Sequence, residues 1–222
     1  MKKPETAFEA WEQEVLSDMQ SKFDDWIWIG SNKIHKTALI NWDIVTMGDN
    51  NIIGAHCVIG DAPQHRSESA SGIVEIGSNN VIREYCTVNA PTRWSGRTAI
   101  GNNCYFMINV HTGHDTIVED NVTIANNFTP GGHAYIMKNT TIGFNVNIHQ
   151  YQVIGSYCML GMGCVISKHQ KVSPGTVWAG NPGQKIKPNL VGIERAGIKI
   201  HELFPEEERM ADIIKERSTY KF

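Results

Sequence analysis

Residues 100–154 read IGNNCYFMINVHTGHDTIVEDNVTIANNFTPGGHAYIMKNTTIGFNVNIHQYQVI. Counting in sixes from Ile100 picks out Phe106, Thr112, Val118, Ile124, Pro130, Ile136, Ile142, Ile148 and Ile154. The same rhythm runs back through Trp94, Val88 and Ile82 to Ile76, and on through Leu160, Ile166 and Val172 to Trp178. Thirteen of these eighteen positions hold Ile, Val or Leu. A period of six is neither the 3.6 of an amphipathic helix nor the two-residue alternation of a half-buried strand. It is a short internal repeat, and a hexapeptide repeat builds a parallel β-helix. One hexad forms each side of a triangular coil, so the spacing predicts that residues eighteen apart stack on one another.

Outward from this region the pattern weakens in an orderly way. The coil is expected to start near Trp28, with Ile34 and Ile40 in phase and Met47, Ile53 and Ile59 following after a one-residue slip. Between Ile59 and Ile76 the polar run DAPQHRSESASG breaks the register, which predicts a loop over 61–75 projecting from the coil. Such a loop either carries function or is a solvated insertion. The repeat ends at AGNPGQKIKP, giving a β-helical domain over 28–182 and a short C-terminal helical segment over 183–222, with Pro205 in the first turn of the last helix. Residues 5–24 read as a helix inside an N-terminal cap over 1–27. Thr6 and Glu9 make a capping box, and Phe8, Trp11, Val15, Leu16, Met19 and Phe23 share one face. That face covers the open end of the first coil or meets a partner.

Composition narrows the function classes. Twenty basic and 23 acidic residues leave a formal charge of −3, with no run of like charges, so nucleic acid is not an expected partner. The opening MKKPETAFEAWEQEV has no apolar stretch of signal-peptide type and no segment has the length of a membrane span, so the expected location is cytoplasmic. Cys57, Cys86, Cys104, Cys158 and Cys164 each follow an apolar repeat position by four residues. They read as small apolar residues beside the core rather than as a disulfide or redox set.

Four of the nine histidines fall into a pattern. In HTGHD (111–115), TPGGHA (129–134) and NIHQY (147–151), an eighteen-residue turn puts His114, Gly132 and Gln150 in one column. Gly113, Gly131 and His149 share the adjacent column, and His133 lies one coil above Asp115. Neighbouring strands are about 4.8 Å apart, so three separate segments form one patch. A histidine beside a carboxylate is oriented to act as a general base. Glycine lets a ligand approach the backbone closely, and its N–H can face a developing oxyanion. Together these suit acyl transfer, and since no serine or cysteine is poised as a nucleophile, direct transfer is expected. Surface decoration of a solenoid is one competing reading. A metal site built from His111, His114, His133 and His149 is another, as in the γ-class carbonic anhydrases, whose near ligand pair is five apart; here the pair is His111-x-x-His114.

The segments IGSNNVIREYCTVN, IGNNCYFMINVHTGHD, IANNFTPGGHA, NIHQY and NLVGIERAGI resemble, in that order, the UDP-N-acetylglucosamine O-acyltransferase family, across roughly residues 28–200. MINVHTGHD is much more specific than the repeat. The resemblance implies an all-β solenoid: a left-handed parallel β-helix, assembled as a homotrimer. It implies transfer of a 3-hydroxyacyl group from the phosphopantetheine thioester of acyl carrier protein to a UDP-linked amino sugar, with no tightly bound cofactor and no metal. It makes His114 the general base, Asp115 its orienting carboxylate and Gly132 the oxyanion donor. His111, His133, His149 and Gln150 would line the cleft between subunits, and Asn189 and Arg195 would meet the nucleotide.

The chain departs from the family pattern in ways that bear on the acceptor. His65 and Ser67 stand in the PQHRSE loop where the family has an acidic residue and a lysine, with Arg66 between them. Val191 and Ala196 replace an acidic residue and an arginine, NAPT (89–92) replaces NRGT, the N-terminal helix is extra, and the C-terminal segment is short. Met162 of MLGMG stands where the family has glycine in the acyl groove. A thioether there would exclude distal methylenes, each worth about 0.8 kcal/mol of burial, which predicts short or medium acyl groups. A CoA-dependent sugar acetyltransferase of the hexapeptide class and a non-catalytic β-helical scaffold are the remaining alternatives.

Overall fold

Each hexad joins one inward apolar side chain to one sharp corner. From Asn103 to Gly175 every sixth residue has a positive φ, between 55° and 70°. Thirteen successive positions are filled by Asn, Asp, His, Tyr or Gly, and none is β-branched. Asn and Asp tolerate the left-handed region because their short polar side chains bond locally, and glycine has no Cβ to clash. The chain turns at each of these residues and then runs two to four residues in extended form before turning again.

The structure, a computed structural model, describes residues 25–219. The helix expected over 5–24 lies outside them. The described chain is a left-handed parallel β-helix with three faces. One face is a ten-stranded sheet running from Trp26–Ile29 to Gln184–Pro188. The second starts with four strands, from Leu39–Ile40 to His111–Thr112, and continues through Thr129–Pro130, Asn147–Ile148 and Val165–Ile166. The third has six strands, from Val45–Met47 to Val153–Ile154. Tyr105, Thr123, Thr141, Met159 and Val177 pair in succession, which is the eighteen-residue turn. Inside, Phe106, Ile124, Ile142 and Leu160 stack with no exposure. Each such side chain contributes about 1.5–3 kcal/mol by leaving water. The five cysteines are buried and free, beside this core.

The earlier coils differ from the even rhythm at three places. Ile34 pairs with Ile53, nineteen residues on, which is the one-residue slip. Met47 pairs with Ile76 across an excursion. That excursion is narrower than the 61–75 expected, because Val58–Asp61 and Ile73–Ile76 are both strands. The third difference is a correction. Ile76 pairs with Ile100 and Ile82 with Phe106, so this turn has twenty-four residues. The additional hexad keeps the count of six but leaves the coil as a loop over 90–96, and Trp94 belongs to that loop rather than to the core.

The two ends are antiparallel. Trp26–Ile29 folds back on Asn32–His35, so the chain at residue 28 is hairpin rather than coil, and Gln184–Pro188 returns along Thr176–Ala179. Helix α1 (Leu190–Arg195), a 3-10 turn (Ile200–Leu203) and helix α2 (Phe204–Arg217) follow, with Pro205 in the first turn of α2. Helix α2 lies on the third face. Met210 and Ile213 pack on Met137, Val153 and Tyr135. Glu119 accepts from the Tyr135 hydroxyl at 2.6 Å and the Lys138 N–H at 3.0 Å, and it pairs with Arg209. Among the described residues no helix is long and apolar enough to cross a membrane.

Asn127 (φ 62°) sits in a corner ladder in which Asn109 donates to it at 2.9 Å and it donates to Asn145 at 3.0 Å. Asn127→Val should destabilise the fold by about 1–2 kcal/mol, because a β-branched residue is strained at that φ. Asn127→Gly should cost clearly less. Denaturant midpoints of the two variants check the order, and an equal loss would mean the side-chain ladder matters more than the turn.

Candidate active site

The second and third faces meet at a corner whose left-handed positions are Asp115, His133 and Tyr151, with φ of 60°, 61° and 65°. The residues before them are His114, Gly132 and Gln150. The turn arithmetic therefore places the patch as expected: the His133 N–H donates to the His114 carbonyl at 2.9 Å, and the Tyr151 N–H to that of Gly132 at 3.1 Å.

His114 and Asp115 form a buried pair. Nδ1 of His114 lies 2.7 Å from Oδ2 of Asp115. With its proton on Nδ1, His114 directs Nε2 away from the carboxylate, as a base requires. Asp115 is fully buried and accepts from several donors. The Thr92 N–H reaches Oδ1 at 3.1 Å and the Thr92 hydroxyl reaches Oδ2 at 2.9 Å; the Ser95 hydroxyl also bonds Oδ1. Its own N–H donates to Thr98 Oγ1 at 2.9 Å. Burial alone would raise the carboxyl pKa, but bonds from His114, Ser95 and Thr92, with His133 nearby, hold it below its ordinary range.

His133 completes the cluster. Its Nε2 is 3.4 Å from Asp115 Oδ2. Its ring lies flat against Tyr151, centroids 4.5 Å apart, and edge-on to His114 at 5.2 Å. Burial pushes its pKa down from 6.5 to about 4; Asp115 opposes the shift, while His114, Arg217 and His65 add to it. His111, on the strand below, takes Thr87 Oγ1 at 2.7 Å through Nδ1. Burial, then the proximity of His114, lowers its pKa as well. From the excursion after Asp61, His65 sets its ring edge-on to His114 at 5.8 Å.

Gly132 is required by geometry. A Cβ there would lie 2.4 Å from Cε1 and Nε2 of the His114 ring, so any side chain would displace the imidazole. The Gly132 N–H makes no backbone hydrogen bond among the described residues. Ligand atoms of His114, Asp115 and His133 lie within 4.8 Å of one another, a separation a metal ion could span. Both oxygens of Asp115 are already taken by hydrogen-bond donors, however, so the carboxylate is held by protein rather than presented to a cation. The four-histidine set weighed from the sequence is not gathered, since His149 is exposed and bonds only its neighbour's carbonyl, Gln150 O, at 3.0 Å.

The other expected residues stand apart from this cluster. Gln150 and Met162 are exposed, Met162 by 74%. Asn189 caps α1 by accepting from the Gly192 N–H at 3.2 Å and donates to the Tyr157 carbonyl at 2.9 Å, and Arg195 is exposed in the last turn of α1. Three features escaped the sequence reading. Thr92 and Ser95 lie in the extruded loop that the unbroken count of six concealed. Tyr151 could have been found by adding eighteen to His133. Arg217 had no signal at all, since it reaches Asp115 across 102 residues of sequence.

His133 generates a pH prediction. The folded state refuses a proton that the unfolded imidazole accepts once pH falls below about 6.5. Its contribution to stability is therefore full above that pH and is lost as pH falls toward 4. Asp115, held low, acts in a lower window still. Denaturant midpoints of the unsubstituted protein should decline between pH 6.5 and 4, and those of His133→Gln should decline less steeply. Parallel curves would assign the titration to another group.

No family model matches the chain. Curated relatives do, under the name acyl-(acyl-carrier-protein)–UDP-N-acetylglucosamine O-acyltransferase. That of Gloeothece citriformis is 34% identical over 176 residues, covering 79% of this chain and 63% of its own length. That of Campylobacter concisus is 36% identical over 153 residues, covering 67% and 57%. The chain thus spans about three-fifths of the length of these relatives. Among solved structures, the UDP-N-acetylglucosamine acyltransferase of Bacteroides fragilis superposes with a TM-score of 0.72 at 29% identity, covering 85% of this chain and 77% of that one. The Campylobacter jejuni enzyme gives 0.67 at 27%, covering 81% of each.

Proposed function

The β-helical part of this chain belongs to the UDP-N-acetylglucosamine O-acyltransferase family, and from that premise we propose that the protein moves an acyl group from the thioester of acyl carrier protein to a UDP-linked amino sugar. The observation that carries the reading is the His114–Asp115 pair seated against Gly132. The curated relatives' names supply the donor and acceptor classes.

The chemistry follows from the geometry. Nε2 of His114 takes the proton of the acceptor hydroxyl as its oxygen bonds to the thioester carbon. The carbonyl electron pair moves onto oxygen, where the Gly132 N–H stabilises it. Collapse restores the carbonyl, breaks the C–S bond, and the departing sulfur takes the proton back from His114. An ester and a free phosphopantetheine thiol result, with no acyl-enzyme. Asp115 holds the tautomer and offsets the charge that His114 gains midway. His111 and His133, both with lowered pKa, keep further positive charge out of the site.

The exposed residues fit the same reading if neighbouring copies complete the cleft. A homotrimer would cover His149, Gln150, Met162, Asn189 and Arg195, which a single copy leaves at its surface or in the cap of α1. Acyl carrier protein, the nucleotide sugar and a cytoplasmic setting belong to this proposal, with no tightly bound cofactor.

The test is to incubate the protein with UDP-N-acetylglucosamine and a chain-length series of 3-hydroxyacyl carrier proteins, and acyl-CoAs beside them, reading products by mass. An acylated sugar nucleotide should form, and His114→Ala should lower its rate by at least about a hundredfold, as loss of a general base does. Transfer only from short acyl-CoA would favour the sugar acetyltransferase. No product with any donor, from a protein that still folds and assembles, would leave a scaffold.

Met162 gives a second expectation from the same assay. Met162→Gly should move the preferred chain longer, since each methylene admitted to the groove adds about 0.8 kcal/mol of burial. An unchanged product mass would remove Met162 from the groove.

A further inference from the structure

Arg217, the last residue of α2, is 6% exposed. Its guanidinium meets the corner of the site from outside the coil. Nη2 donates to the Asp115 carbonyl at 2.9 Å and to the His133 carbonyl at 2.6 Å, and Nε donates to the His133 carbonyl at 3.1 Å. These two carbonyls belong to left-handed corner residues and accept no bond from the backbone ladder among the described residues. One planar fork instead ties two successive corners together.

The fork is itself fixed. Its carbon lies 5.3 Å from the centroid of the Tyr135 ring, whose hydroxyl is held by Glu119, and Glu119 also pairs with Arg209 about two turns of α2 earlier. Met210 and Ile213 anchor the same helix on the third face. The result is a brace from the helix to the two residues that flank the reacting imidazole.

We propose that Arg217 is a positioning residue of the site: by bonding the carbonyls of Asp115 and His133 it sets the spacing of these two corners, and so the placing of the His114–Asp115 pair against Gly132. The inference rests on the acyl-transfer reading above for its catalytic consequence, but not for its structural core. Acting at a distance on geometry, it should alter turnover rather than substrate capture. Small misplacements of a base cost about ten- to a hundredfold in rate.

The experiment compares the unsubstituted full chain with Arg217→Lys, Arg217→Met and a packing control, Met210→Ala, which loosens the helix without touching the fork. Each is assayed for kcat and KM with both substrates. Each is also titrated by 13Cε1 histidine NMR, with His133 assigned by His133→Gln. The groups facing His133 are Asp115 and His114 on its own corner, Tyr151 above, His65 from the excursion and Arg217 from α2. Arg217→Met should lower kcat by about tenfold or more while KM moves less than about threefold, and the His133 midpoint should rise because a facing charge is gone. Arg217→Lys should retain the midpoint but recover only part of kcat. Met210→Ala, which weakens the helix's anchor but keeps the guanidinium, should change both clearly less than Arg217→Met does.

Two results overturn the proposal. If Met210→Ala reproduces the kcat loss and the titration shift, the helix is a cover and the fork has no special part. If Arg217→Met leaves both readouts unchanged, the brace is idle. Should the unsubstituted protein acylate nothing, the acyl-transfer reading fails, and the titration still decides whether Arg217 governs this corner.

Discussion

The left-handed residue at each corner is the constraint on which this structure depends. A coil of three short strands must reverse direction three times per turn, and each reversal puts one residue at a φ near 60°. An ordinary L residue is strained there by about 1–2 kcal/mol, so a dozen unsuitable side chains would exceed the stability of a typical domain. The sequence meets this with asparagine at six of thirteen consecutive corners and with Asp, His, Tyr or Gly at the rest. Apolar stacking then follows, because corners at equal intervals deliver Phe106, Ile124, Ile142 and Leu160 to one line through the core.

The same constraint shapes the site. Asp115, His133 and Tyr151 are corner residues, chosen from the small set the turn tolerates, and their side chains leave the coil at a defined angle one above another. His114 and Gly132 precede two of them. The close fit of the His114 ring over Gly132 is therefore set by the pitch of the coil, not by a flexible loop. In the proposed reaction, a base and an oxyanion donor so held by the spacing of parallel strands would need little reorganisation, which is where electrostatic catalysis gains most.

What could be read from the sequence divides along the same line. The eighteen-residue register and the column of His114, Gly132 and Gln150 were legible because periodicity converts residue number directly into position. The slip before Met47 was visible for the same reason. The insertion that forms the 90–96 loop was not, because it lengthens the turn by six residues and leaves the count of six undisturbed; Trp94 then passes for a core position. Arg217 lies outside any repeat, and its partners are backbone carbonyls, which carry no sequence signature. Asn189 was picked out by resemblance rather than by periodicity, and the structure adds that its side chain caps α1.

A solenoid has no concave interior, and a carboxylate on its corner would ordinarily be open to water. Asp115 is instead fully buried, and segments outside the regular coil pack around it. The additional hexad supplies Thr92 and Ser95 from one side, and α2 brings Arg217 from the other. The excursion after Asp61 lays His65 against His114, and Arg93 of the inserted loop pairs with Glu68 of that excursion at 3.1 Å. Three departures from the repeat thus converge on one corner out of many that are otherwise alike. In a periodic fold the regular part maintains itself through neighbour contacts alone, so an irregular segment must be retained for some other reason. Here the irregular segments surround the carboxylate that, among the described residues, pairs with His114. The enclosure lowers the local dielectric, and the bond between Asp115 and His114 gains strength from it.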